Sequence, residues 1–528
     1  MRLKFSHAVI MAIFLFSGDM ALSLELRDVI PKDQIQAIDT IKNYMQKGTI
    51  MMGGLEGTAE YAFSSPDKYL ATFDLGKLRI SQGFDGKTAW MIDQNNQAME
   101  ISGSDRRSVI NSLYIAGQSY LFENKYPGKV KFWSDSEING IKYFIFKAYP
   151  DGGDSIILHL NSVTRCIDIV QEYKDELSIN TYLEDYRSLN GYMIPYILRT
   201  ETSIPQLNSI FTLEKMEVNI LLDGHIFEMP QQSRLDYSSI TDADSVIVPI
   251  ELINGHIFVL AKINGSKPAY FMLDSGAGMN VINRNFAEKL GISLEGDFAA
   301  KGVAGYGSAA MSYVDSIEIG GVRLYSQNIA VVDISNLGIA VHGEFGGILG
   351  FDLLSRFPIR ISYNDSQATF YNANRFIAPN DSNAISLDFL MKIPVIDAEL
   401  NGYKGRFAID LGNSLGLILH SSFVDKYNIS REFTDIKEMK VSLGGVGGQT
   451  EAYAAMANAF TIGWFIIKAP PLLVAGGNKG LINSEELDGN IGNLMLKKFD
   501  LVFNYATNKL YLFPRTSSIN RLSESNKP

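Results

Sequence analysis

The feature that most constrains this chain is a long internal repeat in its second half. One copy reads HIFVLAKINGSKPAYFMLDSGAGMNVINRNFAEKLGI (His256 to Ile292), and the other reads KIPVIDAELNGYKGRFAIDLGNSLGLILHSSFVDKYNI (Lys392 to Ile429). Each is an apolar strand, an Asn-Gly turn, a second apolar strand and then an aspartate; Asn-Gly between two such runs is a strong hairpin signal. Asn264 lies ten positions before Asp274, and Asn401 nine before Asp410. A glycine follows each aspartate two positions on, Gly276 and Gly412, and then a short helical segment anchored by Phe286 or Phe423. Farther along, GGILGFDLLSRFPIRISYN (Gly346 to Asn364) answers DGNIGNLMLKKFDLVFNYATNKLYLF (Asp488 to Phe513). The spacing from Asp274 to Gly350 is 76 positions, and that from Asp410 to Gly492 is 82. Two such copies are expected to pack as lobes about a pseudo-two-fold axis.

An aspartate that ends an apolar strand at a glycine turn is held on a stiff element with its carboxyl out of the core. The missing side chain of the glycine lets another backbone come close. Pseudo-two-fold packing then brings Asp274 and Asp410 face to face. Two carboxyl groups about 3 Å apart cannot both ionise, so they share a proton, and their titration belongs to the pair. The ionised member acts as general base on a water between them, and the protonated member donates to a substrate carbonyl. Such a site hydrolyses a peptide bond directly and calls for no metal or cofactor.

Leu273-Asp274-Ser275-Gly276-Ala277, with Ile348-Leu349-Gly350 downstream, resembles the retropepsin/pepsin class of aspartic proteases, over roughly Val246 to Pro514. The resemblance implies a mainly β fold of bilobal acid-protease barrels, with lobe 1 at 246–378 and lobe 2 at 379–514. It implies an aspartic-type endopeptidase acting on a peptide or protein substrate, with Asp274 and Asp410 catalytic. Two copies in one chain are pepsin-like, since single-copy retropepsins homodimerise, and a monomer is expected. Between each aspartate and its hydrophobic-hydrophobic-Gly element lies a glycine-rich hairpin candidate, Gly302 to Val314 and Ser442 to Ala454. Tyr306-Gly307-Ser308 resembles the Tyr-Gly-Thr/Ser of pepsin flaps, which implies Gly305, Tyr306, Gly307, Gly447 and Gly448 as a substrate-binding flap that excludes water on closing. The family has Ser or Thr after each aspartate, hydroxyls that brace the two loops against each other. Ser275 complies and Leu411 does not. Ser275, Gly276, Gly412 and Asn413 are the expected supports of the aspartate loops, with Asn413 the candidate substitute for the absent hydroxyl. The lost brace keeps open an alternative, a catalytically inactive peptide- or lipid-binding protein on the same scaffold.

Composition removes other classes. With 47 basic against 58 acidic side chains the net charge is −11, which offers no footprint for nucleic acid. Six histidines without a Gly-x-Ser-x-Gly elbow form no nucleophile–base constellation. The run Gly444-Gly445-Val446-Gly447-Gly448 lacks the lysine and helix of a phosphate loop. The single cysteine, Cys166, permits no intramolecular disulfide and reads as a buried small apolar residue. Asp242 and Asp244 read as solvated linker charges, and no metal site is expected.

At the start of the chain, Arg2 and Lys4 precede the apolar run Ala8 to Phe16 and the triplet Ala21-Leu22-Ser23. This reads as a signal peptide over 1–23, too short to span a bilayer, so an exported protein, periplasmic or extracellular and without a stable membrane span, is expected. Residues 24–234 offer one early helix, Pro31 to Gly48, and then a succession of strands such as KYLATFDL, KYFIFKAY and SIILHLN, an antiparallel α+β domain. The order of elements, with TYLEDYRSLNGYMIPYILRTET (Thr181 to Thr202), resembles the lipoprotein-carrier (LolA-like) fold. That likeness implies a curved half-barrel and a lipid or acyl ligand. A polar linker at 235–245 and a polar tail at 515–528 complete the reading.

Overall fold

The Asn-Gly pairs turn the chain as their chemistry predicts. Asn139, Asn190, Asn264 and Asn401 sit at φ of 50°, 53°, 50° and 52°, and each following glycine is also left-handed, between 73° and 89°. Asparagine and glycine tolerate this region, and two such residues in succession match the twist of a tight hairpin. The structure, a computed structural model, describes residues 24–521 apart from Glu123, Asp175, 232–235, 240–242, Ala304, 446–447, 477–479 and 516–518. The segment 1–23, Asp242, Gly447 and residues 522–528 of the tail therefore lie outside the described residues.

The first half is one curved antiparallel sheet of 13 strands. It is a meander closed in the middle: Asn43–Met52 pairs with Leu55–Ser64 on one side and with Ser209–Val218 on the other. The expected helix over Pro31 to Gly48 is cut short. Only Lys32–Asp39 is helical, and the chain from Asn43 joins the sheet. Pairing on both flanks outweighs the local helical pattern there. A second helix, Gly103–Ala116, was not expected from sequence. Its Val109, Ile110, Leu113 and Tyr114 are buried, a helical spacing that the surrounding strand patterns mask. Val109, Ile110 and Leu113 pack with Tyr44, Phe63 and Phe84 of the sheet. Beneath the helices the concave face leaves a cavity of about 410 Å³, lined by apolar side chains and by Tyr44, Tyr61, Tyr69, Tyr120, Tyr186 and Tyr192. Cys166 is a buried free thiol on the same wall.

The repeated half makes three sheets, of 9, 6 and 11 strands. In the first lobe, Ala269–Leu273, which leads to Asp274, pairs in parallel with Phe345–Leu349. In the second, Tyr403–Ile409, which leads to Asp410, pairs in parallel with Gly489–Ile491. The six-stranded sheet is shared between the lobes, with Ile359–Ser362 of the first paired to Phe499–Asn504 of the second. Each of these strands carries its own lobe's hairpin partner, Gln367–Tyr371 and Lys509–Pro514, so the sheet reads alike from either end. One apolar cluster runs through both lobes, including Phe271, Phe286, Phe407 and Phe423. Burying a side chain of that size stabilises by about 1.5–3 kcal/mol.

Part of the segment read as linker is built into this half. Tyr237–Ser239 pairs with Val322–Val332, and Asp236 forms an ion pair with the fully buried Arg356. Asp244 is exposed and paired with Arg375. The segment read as a polar tail contains a strand, Ile519–Arg521, on the edge of the 11-stranded sheet.

The half-barrel is stapled to both lobes. Asp93 is fully buried; its Oδ1 accepts the N–H groups of Asn95 and Gln97, and its Oδ2 pairs with Lys392 at 2.6 Å. Asn95 and Asn328 exchange hydrogen bonds at 2.7 and 3.0 Å, and Ser355 donates to Gln97 at 2.8 Å. Met391 and Lys392 both lie at positive φ, 49° and 66°. The Met391 carbonyl stands against the aspartate loop at Gly278, where a Cβ would approach it to 2.8 Å.

Candidate active site

The two aspartate loops start from equivalent backbone bonds. Asp274 N–H donates to Leu349 O at 3.0 Å, and Asp410 N–H donates to Ile491 O at 3.0 Å. Each aspartate thus leaves its strand tethered to the parallel neighbour, at the point where that neighbour reaches its glycine. A turn bond closes each loop at 3.3 Å, Ala277 N–H to Asp274 O and Asn413 N–H to Asp410 O. The short helices that follow, Arg284–Lys289 and Ser421–Tyr427, bury Phe286 and Phe423.

The loops meet across the pseudo-axis. A Cβ on Gly276 would fall 2.7 Å from Cγ of Asp410, and one on Gly412 would fall 2.3 Å from Cγ of Asp274. Each glycine is therefore required by the carboxyl of the opposite lobe, because any side chain there would occupy its space. The carboxyls of Asp274 and Asp410 therefore face each other across the two loops. Burial first, and the neighbouring Asp410 charge second, hold the Asp274 carboxyl well above the usual carboxylate range. Opposing this, the Gly276 N–H donates to Asp274 Oδ1 at 2.7 Å. Asp410 Oδ1 accepts from the N–H groups of Gly412 and Asn413 at 2.8 and 3.0 Å.

The brace survives on one side. Ser275, 1% exposed, donates through Oγ to Ile409 O at 2.7 Å and accepts the Leu411 N–H at 2.9 Å. Leu411 is fully buried and belongs to the lobe core with Leu417. Leu415, by contrast, is 36% exposed. Asn413 does not replace the absent hydroxyl by reaching across the pair, as sequence suggested. Its Nδ2 donates instead to Asn490 Oδ1 at 2.8 Å, within its own lobe.

Several neighbours were missed from sequence. Asn490 donates to Asp410 Oδ2 at 2.5 Å. Asn493, 2% exposed, donates to Leu411 O at 2.6 Å and Gly255 O at 3.1 Å while accepting from Tyr363 at 2.9 Å, which pins the second loop from behind. Burial lowers the pKa of His256, against the opposing pull of the Gly412 backbone and the Asp410 charge, which favours the neutral ring. The signal for Asn490 was available by aligning the copies: Asn490-Ile491-Gly492 stands where the first has Ile348-Leu349-Gly350.

The glycine-rich segments are hairpins. Gly305, Tyr306 and Gly307 begin the strand Gly305–Ile319, which pairs back on Glu295–Gly302; Gly448 begins Gly448–Met456, which pairs back on Thr434–Gly445. Their ends converge: a Cβ on Gly445 would lie 3.0 Å from the Val303 side chain. Gly480 of lobe 2 packs so closely on Gly302, Val303 and Gly305 that a Cβ would come within 2.4 Å of the Gly305 nitrogen. The half-barrel touches both partners of this contact. Gly53 O accepts the Asp297 N–H at 2.7 Å, and Glu176 accepts the Gly480 N–H at 3.0 Å.

Residues 259–353 match the family model described as Aspartyl protease. That span holds Asp274, Ser275 and Gly276, the first hairpin and Gly350, so this region of the chain is aspartic-protease-like. Among solved structures, the chain is similar to a DUF1329 family protein from Desulfovibrio piger, at 14% identity over 38% of this chain and 95% of that one, with a TM-score of 0.28. A LolA superfamily protein from Nitrosomonas europaea matches at 11% identity over 39% of this chain and 98% of that one, TM-score 0.29. A putative outer membrane lipoprotein-sorting protein domain from Vibrio parahaemolyticus matches at 11% identity over 37% and 94%, TM-score 0.28. No curated protein matches the chain.

Proposed function

We propose that the protein is an aspartic-type endopeptidase in which Asp274 and Asp410 activate one water for direct attack on a peptide bond. The observation that carries this reading is the packing of each loop's glycine directly on the aspartate carboxyl of the other loop, which sets the two carboxyls face to face. A pair that shares one proton holds a base and an acid at once. The water loses its proton to the ionised carboxylate as it attacks, the other carboxyl donates to the carbonyl oxygen, and a tetrahedral diol forms. Its collapse, with a proton passed to the leaving amine, breaks the C–N bond. Ser275, Gly276 and Gly412 hold the loops at the required approach. The hairpins carrying Gly305, Tyr306, Gly307 and Gly448 act as the cover over the substrate. Domain limits near 24–234, 246–378 and 379–514 belong to the same proposal, as does export directed by residues 1–23. No helix among the described residues is long and apolar enough to cross a membrane.

The test is hydrolysis of an unfolded polypeptide across pH by the mature protein. Activity should fall by about 10²–10⁴ in Asp274→Asn and in Asp410→Asn. It should persist with chelator and be blocked by a peptide mimic bearing a hydroxyl at the scissile position. A wild type no faster than both variants, yet still binding the mimic, would establish the inactive peptide-binding alternative.

A second reading concerns the half-barrel. Its cavity of about 410 Å³, lined by Ile38, Ile50, Leu183 and six tyrosines, suits an apolar chain with a polar end. We propose a lipid or acyl ligand there, tested by displacement of a fluorescent fatty acid.

A further inference from the structure

We propose that Asn490, oriented by Asn413, is a positioning residue that makes Asp410 the ionised member of the pair and leaves the shared proton on Asp274. The proposal rests on the reading of the two aspartates as one catalytic pair, and it assigns the base and the acid within it.

A backbone donor, whose polarity is not open to choice, orients the relay. The Leu415 N–H is bonded at 2.9 Å to the Asn413 side chain, so the atom facing it must be the amide oxygen. The Asn413 NH₂ therefore points the other way, to Asn490 at 2.8 Å, and must find an oxygen there. That turns the Asn490 NH₂ towards Asp410 Oδ2, at 2.5 Å. An amide nitrogen can only donate, so Oδ2 must accept. Oδ1 already accepts two backbone N–H groups, those of Gly412 and Asn413. A proton on Oδ1 would displace a donor, one on Oδ2 would weaken it as the acceptor of the Asn490 amide, and donors to the charged form favour it.

The first lobe has no such relay. Asn413 corresponds to Ala277, and Asn490 to Ile348, neither of which has a side-chain donor. Asp274 Oδ1 accepts the Gly276 N–H, with the Gly412 backbone also against this carboxyl, but no side-chain amide bond to it is found among the described residues, which leaves the shared proton its place here. Two copies that match in backbone thus differ in two side chains, and both differences act on the same carboxylate. Asp410 becomes the base that takes the water's proton, and Asp274 the acid that donates to the carbonyl.

The ionisable groups facing the pair are His256 beside Asp410 and Tyr505 beside Asp274. Both are left in place by changes at 413 and 490. Asn490→Ile copies the first lobe. Its acid limb in kcat/KM should move up by about one pH unit, with kcat down about tenfold at the acid end and KM within about twofold. Asn413→Ala, which frees the Asn490 amide to turn over, should move the limb the same way by less. It also serves as the second variant should Asn490→Ile not fold. An acid limb unmoved in a folded Asn490→Ile protein overturns the proposal. The ¹³C titration of the aspartate carboxyls, read in the wild type and in Asp274→Asn, needs no turnover, so it decides even if the protein hydrolyses nothing. Asp410 losing its proton first supports the assignment, and Asp274 losing it first ends it.

Discussion

The hydroxyl of Ser275 accepts the Leu411 N–H at 2.9 Å while donating to Ile409 O at 2.7 Å, so one side chain from the first loop ties both sides of the second. A reciprocal pair of braces is thereby reduced to one. All the cross-loop side-chain tethering found between 275 and 411 depends on the hydroxyl of a residue that is 1% exposed.

Ser275→Ala should therefore strand a buried N–H and a buried carbonyl together, at a cost of about 1–3 kcal/mol. Since the loops it aligns hold the two carboxyls, kcat should fall about 10–100-fold. Thermal melting and initial rates on the same preparation check both, and Ser275→Thr, which keeps the hydroxyl, should lose less.

Leu411→Thr tests the other side. Leu411 is fully buried, its N–H is taken by Ser275 and its carbonyl by Asn493. A new hydroxyl enters an apolar core, and the change should cost about 1–3 kcal/mol without raising turnover. A variant both more stable and faster would contradict this account of the site.

Lys392 concerns the junction with the half-barrel. Its ammonium pairs at 2.6 Å with Asp93, which is 0% exposed, and its charge also opposes the raised pKa of the buried Asp352. Lys392→Met leaves the Asp93 carboxylate buried without its cation, for which about 3–5 kcal/mol is expected. Denaturant unfolding should show the loss, and the companion Asp93→Asn should be milder in Lys392→Met than in the wild type, since the two act on one pair.

Two buried groups give opposite pH dependences. Burial lowers the His420 pKa to about 4. As pH falls from about 6.5 to about 4, the unfolded chain takes up a proton that the folded imidazole refuses, and about 3 kcal/mol of stability is lost. For Asp274 the folded pKa is raised, so its contribution is present in full below the unfolded value near 3.9 and is lost as pH rises through the folded one. Unfolding free energies across this range should thus be flatter on the acid side for His420→Gln, and flatter on the rising side for Asp274→Asn.

The sequence by itself determined the hairpins, the two lobes and the pair of aspartates. These rest on local rules: Asn-Gly supplies two left-handed residues, alternating apolar residues make strands, and a duplicated pattern has one symmetric way to bury both copies. The extent of the first helix was not local, because Asn43 onward is claimed by partners 64 and 218, far along the chain. The helix at Gly103–Ala116 was hidden among strand patterns, although its buried spacing is helical. Only the tertiary structure decided which side chains serve the carboxyls. Asn413 and Asn490 lie 77 positions apart, and the path from the Leu415 N–H through two amides to Asp410 exists only after the parallel strands are joined. Hydrogen-bond polarity passes between neighbours in space, and a sequence records only which neighbours are possible.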